Sequence, residues 1–163
     1  MIYSRSSEYA IRASLHLAQV PPGQCAMAKD IAKDEEIPAH FLAKILQQLA
    51  RKGLLKSTKG PTGGFCMQLK ASEIRLIDIV DAVDGLSDYN KCIAGFPECS
   101  DKMGCPLHDG WTALHSRIMD YLRRNTIGSL VKKLETQQRN SRPAPGRRSK
   151  KSPESKKALR PSL

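Results

Sequence analysis

Apolar residues recur at three- and four-residue steps along residues 2–20, with Tyr9, Ala13 and Leu17 in one line and Ile11, Leu15 and Ala18 beside it. That period belongs to a helix, and Pro21-Pro22-Gly23 ends it. A short helix is expected around residues 28–35, with Ile31 and Ala32 inward. Ile37-Pro38 opens another, because a proline is tolerated in a first turn where its missing N–H has no partner. Phe41, Leu42, Ile45, Leu46 and Leu49 form the buried stripe of this helix, and Gly53 suits the position just past its end. Three helices with a tight connection between the last two predict a helix-turn-helix unit.

The period then shortens. Leu54–Ser57-Thr58 and Phe65-Cys66-Met67-Gln68-Leu69 are strand-like runs on either side of Lys59-Gly60-Pro61-Thr62-Gly63-Gly64. Two such runs around a Gly/Pro turn predict a β-hairpin, and a hairpin directly after a helix-turn-helix is a wing. Leu76, Ile79, Val80 and Val83 mark a further helix stopped by Gly85. Residues 86–106 read as irregular. Trp111, Leu114, Ile118, Tyr121 and Leu122 make a helical stripe, and Thr126 is placed to cap a short last helix carrying Ile127, Leu130, Val131 and Leu134. From Gln137 onward apolar content collapses into Ser, Pro, Lys and Arg, a composition expected to be disordered. The fold class is therefore mainly α with a small hairpin wing. Its predicted parts are a winged helix-turn-helix over 1–85, a cysteine-rich loop over 86–108, a long helix and short terminal helix over 109–136, and a basic tail over 137–163.

Charge changes this picture little for the folded part. The net charge is +11, but residues 139–163 hold nine Lys/Arg against Glu154, which leaves 18 basic and 15 acidic residues for the rest. A basic balance suits a polyanion, whose counterions are released on binding. No membrane segment is expected: the longest charge-free stretch, residues 13–28, contains two prolines, Gly23, His16 and two glutamines. Glu8 and Arg12 interrupt any signal-peptide core. The expected location is the cytoplasm, where five cysteines are poor candidates for structural disulfides.

Two sets of residues carry chemistry. In a helix-turn-helix the N-terminal residues of the second helix reach base edges. Here they are Pro38, Ala39, His40, Ala43 and Lys44, with Lys59, Gly60 and Gly63 at the wing. His40 can donate to a base acceptor, Lys44 to a base or phosphate, and a wing-tip cation can enter a minor groove. The second set is Cys92-x6-Cys99-x5-Cys105-x2-His108, embedded among Gly95, Pro97, Gly104 and Pro106. Thiolates suit iron–sulfur clusters and zinc. Structural zinc sites usually contain close cysteine pairs, absent here, so the spacing favours an iron–sulfur cluster over zinc. Cys25 and Cys66 stand apart and read as small buried hydrophobes.

These residues resemble a known family. Ser6-Ser7-Glu8-Tyr9-Ala10, Phe41-Leu42-x-x-Ile45-Leu46-x-x-Leu49-x-x-x-Gly53-Leu54, the wing from Lys59 to Phe65, Cys105-Pro106-Leu107-His108-x-x-Trp111 and Thr126-Ile127-x-x-Leu130 are similar to the winged-helix regulators that include IscR, NsrR and RirA, over about residues 1–135. The resemblance implies a homodimer built on a helix at about residues 107–124, a palindromic double-stranded DNA operator, and a 2Fe–2S or 4Fe–4S cluster on Cys92, Cys99 and Cys105. It implies two alternatives for the fourth ligand: His108, as in the IscR-like pattern, which is favoured, or Glu8 reaching across the dimer, as in the NsrR-like pattern. The chain departs from IscR in a first cysteine gap one residue longer, in Ala43 where IscR has an acidic base-reading residue, and in Lys59 where an arginine is frequent.

The functional expectation is a DNA-binding transcription regulator, taken as a repressor, controlled by an iron–sulfur cluster that senses iron, redox or nitric oxide status. The rivals are a zinc-stabilised regulator without a sensing role and an iron–sulfur carrier. An enzyme is not expected. No Ser-His-Asp order or paired catalytic carboxylates sit on a plausible frame. The glycine-rich turn is no phosphate loop, since it lies in a hairpin and lacks a following Lys-Ser/Thr.

Overall fold

In the computed structural model, residues 2–60, 63–87, 92, 94, 95 and 105–141 are described. Their elements run α1 Arg5–Gln19, α2 Ala28–Asp34, α3 Ala39–Arg51, β1 Leu55–Thr58, β2 Gly64–Met67, α4 Leu76–Val83, α5 His108–Arg124 and α6 Ile127–Ser141. The predicted architecture, mainly helical with a hairpin wing, is present.

Helix α1 is the centre of the packing and touches α2, α3, α4 and α6. Its inner face is small: Ala10, Ala13 and Ser14 are at most 2% exposed. Small side chains let neighbouring backbones come close, and Ser14 satisfies its hydroxyl on the Ala10 carbonyl at 2.7 Å. Leu42, Ile45, Leu46 and Leu49 of α3 fill the space opposite, with Ile31 of α2 and Ile79 and Val80 of α4 completing one core. Each of these larger side chains contributes roughly 1.5–3 kcal/mol by leaving water. Ser4 caps α1, its hydroxyl accepting from the Ser7 N–H at 3.2 Å, while the Ser4 N–H and hydroxyl donate to the Asp84 carboxylate at the end of α4.

The wing pairs Leu55 with Met67, Lys56 with Cys66, Ser57 with Phe65 and Thr58 with Gly64, antiparallel. A third neighbour supports it. Ala26 and Phe65 exchange both backbone hydrogen bonds, each 2.9 Å. Gly64 makes that approach possible: its φ is +142°, and a Cβ there would overlap the Ala26 carbonyl. The bridge also corrects the reading of two cysteines. Cys25 and Cys66 are joined in a disulfide, with Cα atoms 4.4 Å apart, and both are half-buried rather than apolar core residues. The reason is register. Residues adjacent to a doubly hydrogen-bonded antiparallel pair face each other at about 4.5 Å, and 25 and 66 are the neighbours of 26 and 65.

Helix α6 starts from a short antiparallel bridge between Arg75 and Thr126, with the Ile127 N–H on the Ile74 carbonyl and the Leu76 N–H on the Asn125 carbonyl, both 2.9 Å. Thr126 caps it as expected, accepting from the Ser129 N–H at 3.1 Å. The helix is longer than the pattern predicts. It runs on to Ser141, because Glu135, Gln137, Gln138 and Arg139 are good helix formers although they bury nothing. Residues 142–163, most of the predicted basic tail, lie outside the described residues. Three positions of the predicted apolar stripes also differ. Phe41 is 40% exposed, and along α5 the buried residues are Met119 and Leu122, while Leu114 and Tyr121 are 52% and 58% exposed.

At the start of α4, Asp78 accepts from the Arg75 N–H at 2.9 Å and from its guanidinium at 3.0 and 2.7 Å. Burial alone would raise the Asp78 carboxyl, but the Arg75 hydrogen bonds and charge outweigh it and hold the group below the usual carboxylate range. A carboxyl lowered on folding stabilises above its unfolded pKa and loses that contribution as pH falls through the lower folded value. Asp78→Asn is expected to cost about 1 kcal/mol at pH 7, the size of a lost helix cap. Urea titrations should show the gap from the parent closing as pH drops below about 4.

Candidate functional site

The second helix of the helix-turn-helix is positioned by the turn before it. The chain leaves α2 through Glu36 at φ +53°, with the Ile37 N–H on the Ala32 carbonyl at 2.8 Å and the Glu36 N–H on the Lys33 carbonyl at 3.3 Å. This is the Schellman pattern, and both Ile37 and Ala32 are buried. The same pattern closes α3, where Gly53 takes φ +75° and the Leu54 N–H reaches the Leu49 carbonyl at 3.0 Å. Helix α1 holds the first of these turns. Arg12 Nε donates to Glu35 Oε2 at 3.2 Å, and its Nη2 donates to the Glu35 carbonyl. His16 lies 3.4 Å from Glu35 and 3.9 Å from Asp34.

With Leu42, Ile45, Leu46 and Leu49 turned into the core, the opposite face of α3 is left to solvent. Pro38, Ala39, His40 and Lys44 are exposed and Ala43 is half-buried, so the predicted base-reading residues share the outer face of one helix. Phe41 stands between them and the core, edge-on to Tyr9 with ring centroids 6.0 Å apart. Periodicity alone places it inside, and its exposure leaves an apolar group of the kind that can meet a thymine methyl. At the wing, Lys59 and Gly60 are exposed, whereas Gly63 is buried and donates to the Gly60 carbonyl at 3.0 Å. A Cβ on Gly63 would collide with the backbone at Thr58 and Lys59, so this glycine shapes the turn that presents Lys59. Pro61 and Thr62 lie outside the described residues.

Beyond α4 the structure brings two of the three predicted cluster cysteines together. Cys92 and Cys105 are buried, 6% and 8% exposed, with their sulfurs 3.8 Å apart. The His108 N–H donates to the Cys105 carbonyl at 3.1 Å, which puts this half-buried histidine one turn from Cys105, at the first position of α5. Glu8 is half-buried in the first turn of α1. Cys99 lies outside the described residues, and among those described no three metal-ligating side chains converge.

The Rrf2 family model, described as an iron-dependent transcriptional regulator, matches residues 3–133. The chain belongs to the Rrf2 family. It is 32% identical over 133 residues to an HTH-type transcriptional regulator of Aquifex aeolicus, covering 80% of this chain and 92% of that protein. It is 31% identical over 132 residues to the HTH-type transcriptional regulator IscR of Vibrio campbellii, covering 81% of this chain and 78% of the relative. Among solved structures, IscR of T. potens shares the fold with a TM-score of 0.67 at 22% identity, covering 88% of this chain and 92% of that one. CymR of B. subtilis does so with a TM-score of 0.67 at 20% identity, covering 80% and 95%. Rrf2 membership makes this chain a DNA-binding transcription regulator and not an enzyme. No helix among the described residues is long and apolar enough to cross a membrane.

At the sites discussed above, the exposure of Phe41 and the pairing of Cys25 with Cys66 in this Rrf2 chain escaped the sequence. The Glu36 turn offers a direct check on how α3 is set. A side chain in the left-handed region costs roughly 1–2 kcal/mol, and glycine removes that cost while adding chain entropy to the unfolded state. Glu36→Gly is expected to gain about 0.5 kcal/mol net, read as a higher midpoint in urea with an unchanged slope.

Proposed function

We propose that this regulator binds a palindromic duplex as a homodimer and that an iron–sulfur cluster held by Cys92, Cys99 and Cys105 controls the binding. The observation that carries this reading is the 3.8 Å separation of the Cys92 and Cys105 sulfurs in a buried setting. Two thiolates on one tetrahedral metal, each at about 2.3 Å, stand about 3.8 Å apart. Four protein ligands distribute two to each iron in a 2Fe–2S cluster and one to each iron in a 4Fe–4S cluster. The spacing thus favours 2Fe–2S, with Cys92 and Cys105 on the same iron. His108 is the preferred fourth ligand, because its backbone hydrogen bond holds it in the turn that contains Cys105. Glu8 from a second copy is the alternative. When bound, such a cluster supplies a redox-active centre open to oxidants and nitric oxide. A single zinc ion fits the same sulfur spacing and is the second reading.

Cys105 leads within one turn into α5; from its cap Leu107 onward, Leu114 and Tyr121 are exposed with Leu107, Trp111 is half-buried, and Ile118 is half-buried against the edge of the core. Those steps of four and three are the seam of a two-helix coiled coil. Pairing two copies along this seam sets the spacing of the two recognition helices, which must meet half-sites one or more DNA turns, about 34 Å, apart. A change at Cys105 therefore acts where the two heads are joined.

Anaerobically isolated protein should contain iron and acid-labile sulfide in equal amounts. Cys92→Ser and Cys105→Ser should lose both, and their affinity for a duplex selected with this protein from a random-sequence pool should change at least about five-fold, the lower range of such couplings. Stoichiometric zinc without sulfide would instead establish the second reading, and equal affinity of holo and variant protein removes the sensing role.

The seam has its own check. Leu114→Glu combined with Tyr121→Glu should sediment as a folded monomer in analytical ultracentrifugation. It should bind the palindromic duplex at least about a hundred-fold more weakly, because the second head no longer gains from effective concentration.

A further inference from the structure

The base of the wing is tied down by a pair that the cluster reading does not use. Ala26 and Phe65 form the hydrogen-bonded bridge, and Cys25 and Cys66 face each other beside it with Cα atoms 4.4 Å apart, 41 residues apart in sequence. The loop they close contains α2, α3, β1 and the wing turn, which is the whole DNA-facing unit. The site is open to reagents. Both cysteines are half-buried and line a groove of about 620 Å³ with Leu17, Pro21, Lys56 and Thr58. The sulfurs also have polar partners suited to the dithiol form. The Thr58 hydroxyl donates toward Cys25 at 3.5 Å, and the Lys56 carbonyl lies 3.7 Å from Cys66 as an acceptor for its thiol.

A two-stranded hairpin is marginally stable alone. With the pair reduced, this wing is held to the segment before α2 by the two hydrogen bonds of the Ala26–Phe65 bridge; with the pair oxidised, it is clamped there covalently. We infer that Cys25 and Cys66 are a reversible thiol/disulfide couple that sets how firmly the wing is held, a redox input to DNA binding separate from Cys92, Cys99 and Cys105. It rests on the DNA-binding role of the winged unit and not on the cluster.

The oxidant is a low-molecular-weight disulfide. One wing thiolate attacks it, forming a mixed disulfide and releasing one small thiolate. The other wing thiolate then attacks the protein sulfur of that mixed disulfide, forming the Cys25–Cys66 bond and releasing the second small thiolate. The two protons lost by the protein end on the two small thiols. The protein is oxidised by two electrons and the small disulfide is reduced by two.

Full-length protein is equilibrated without oxygen in glutathione disulfide or in dithiothreitol, alkylated, and mapped by peptide mass spectrometry. The disulfide buffer should link the Cys25 and Cys66 peptides, and dithiothreitol should free them. Linked wild-type protein should unfold about 10 °C higher, as expected for closing a loop of this length. It should bind the duplex selected from a random-sequence pool about five-fold more tightly. Cys25→Ser and Cys66→Ser should bind equally in both buffers. The inference is overturned if both cysteines remain alkylatable in the disulfide buffer, or if the linked form has unchanged affinity. It also fails if the redox response survives in Cys25→Ser, which would assign the response to the other cysteines. Failure of the cluster reading shows separately, as absent iron and sulfide, and leaves the wild-type comparison intact.

Discussion

The packing of α3 against the small face of α1 is the constraint on which the rest of the molecule depends. Leu42, Leu46 and Leu49 are fully buried and Ile45 is 3% exposed. They reach that state because Ala10, Ala13 and Ser14 leave room for them. Once four positions at helical spacing are committed inward, the outward positions follow without further choice, and His40 and Lys44 can only face solvent. The Glu35 carboxylate, held by Arg12 from α1, fixes the approach to α3, and the Gly53 turn fixes the departure into β1. Helix α3 and the base of the wing are therefore set by the same core, into which Leu55 and Phe65 are buried.

The cysteine segment is attached to this unit at two places. At one end α4 delivers the chain past Asp84, whose carboxylate holds the cap of α1. At the other end Cys105 opens the turn that begins α5. In the proposed reading, a change at Cys92 and Cys105 lies, along the chain, between Asp84 and the start of α5. The energetic weight of such a link is a coupling between two states, which measurement of binding in each state defines.

Much of this was legible in the chain. Periodicity gave α1 and α3, Gly53 ended α3, Thr126 capped α6, and the Gly/Pro turn gave the wing. What was hidden has a common cause: it depends on partners distant in sequence. Phe41 satisfies the helical period, yet Tyr9 meets it edge-on at the rim instead of covering it. Cys25 and Cys66 carry no local pattern, and only the Ala26–Phe65 register brings them face to face. Helix α6 outlasts its apolar residues because propensity alone can extend a helix already nucleated by packing. Of the proposed cluster site, the ligand types were legible in the chain, and the structure adds the closeness of Cys92 and Cys105.

The exposed seam of α5 follows from the same accounting. Within one chain the helix buries Met119 and Leu122 and leaves Leu107, Leu114 and Tyr121 each more than half exposed. A helix of 17 residues with so little buried is marginal by itself. Apolar residues spaced by four and three along one face are an ordered patch of the kind that marks an interface. The amphipathic pattern that builds α3 buries its stripe within the chain, whereas in α5 Leu114 and Tyr121 point away from the core while Leu122 joins it. In the proposed homodimer, the α5 seam is the surface that would bring the two α3 faces into register on DNA. The buried thiols of Cys92 and Cys105 sit at its root, so the proposed cluster would act where this helix begins.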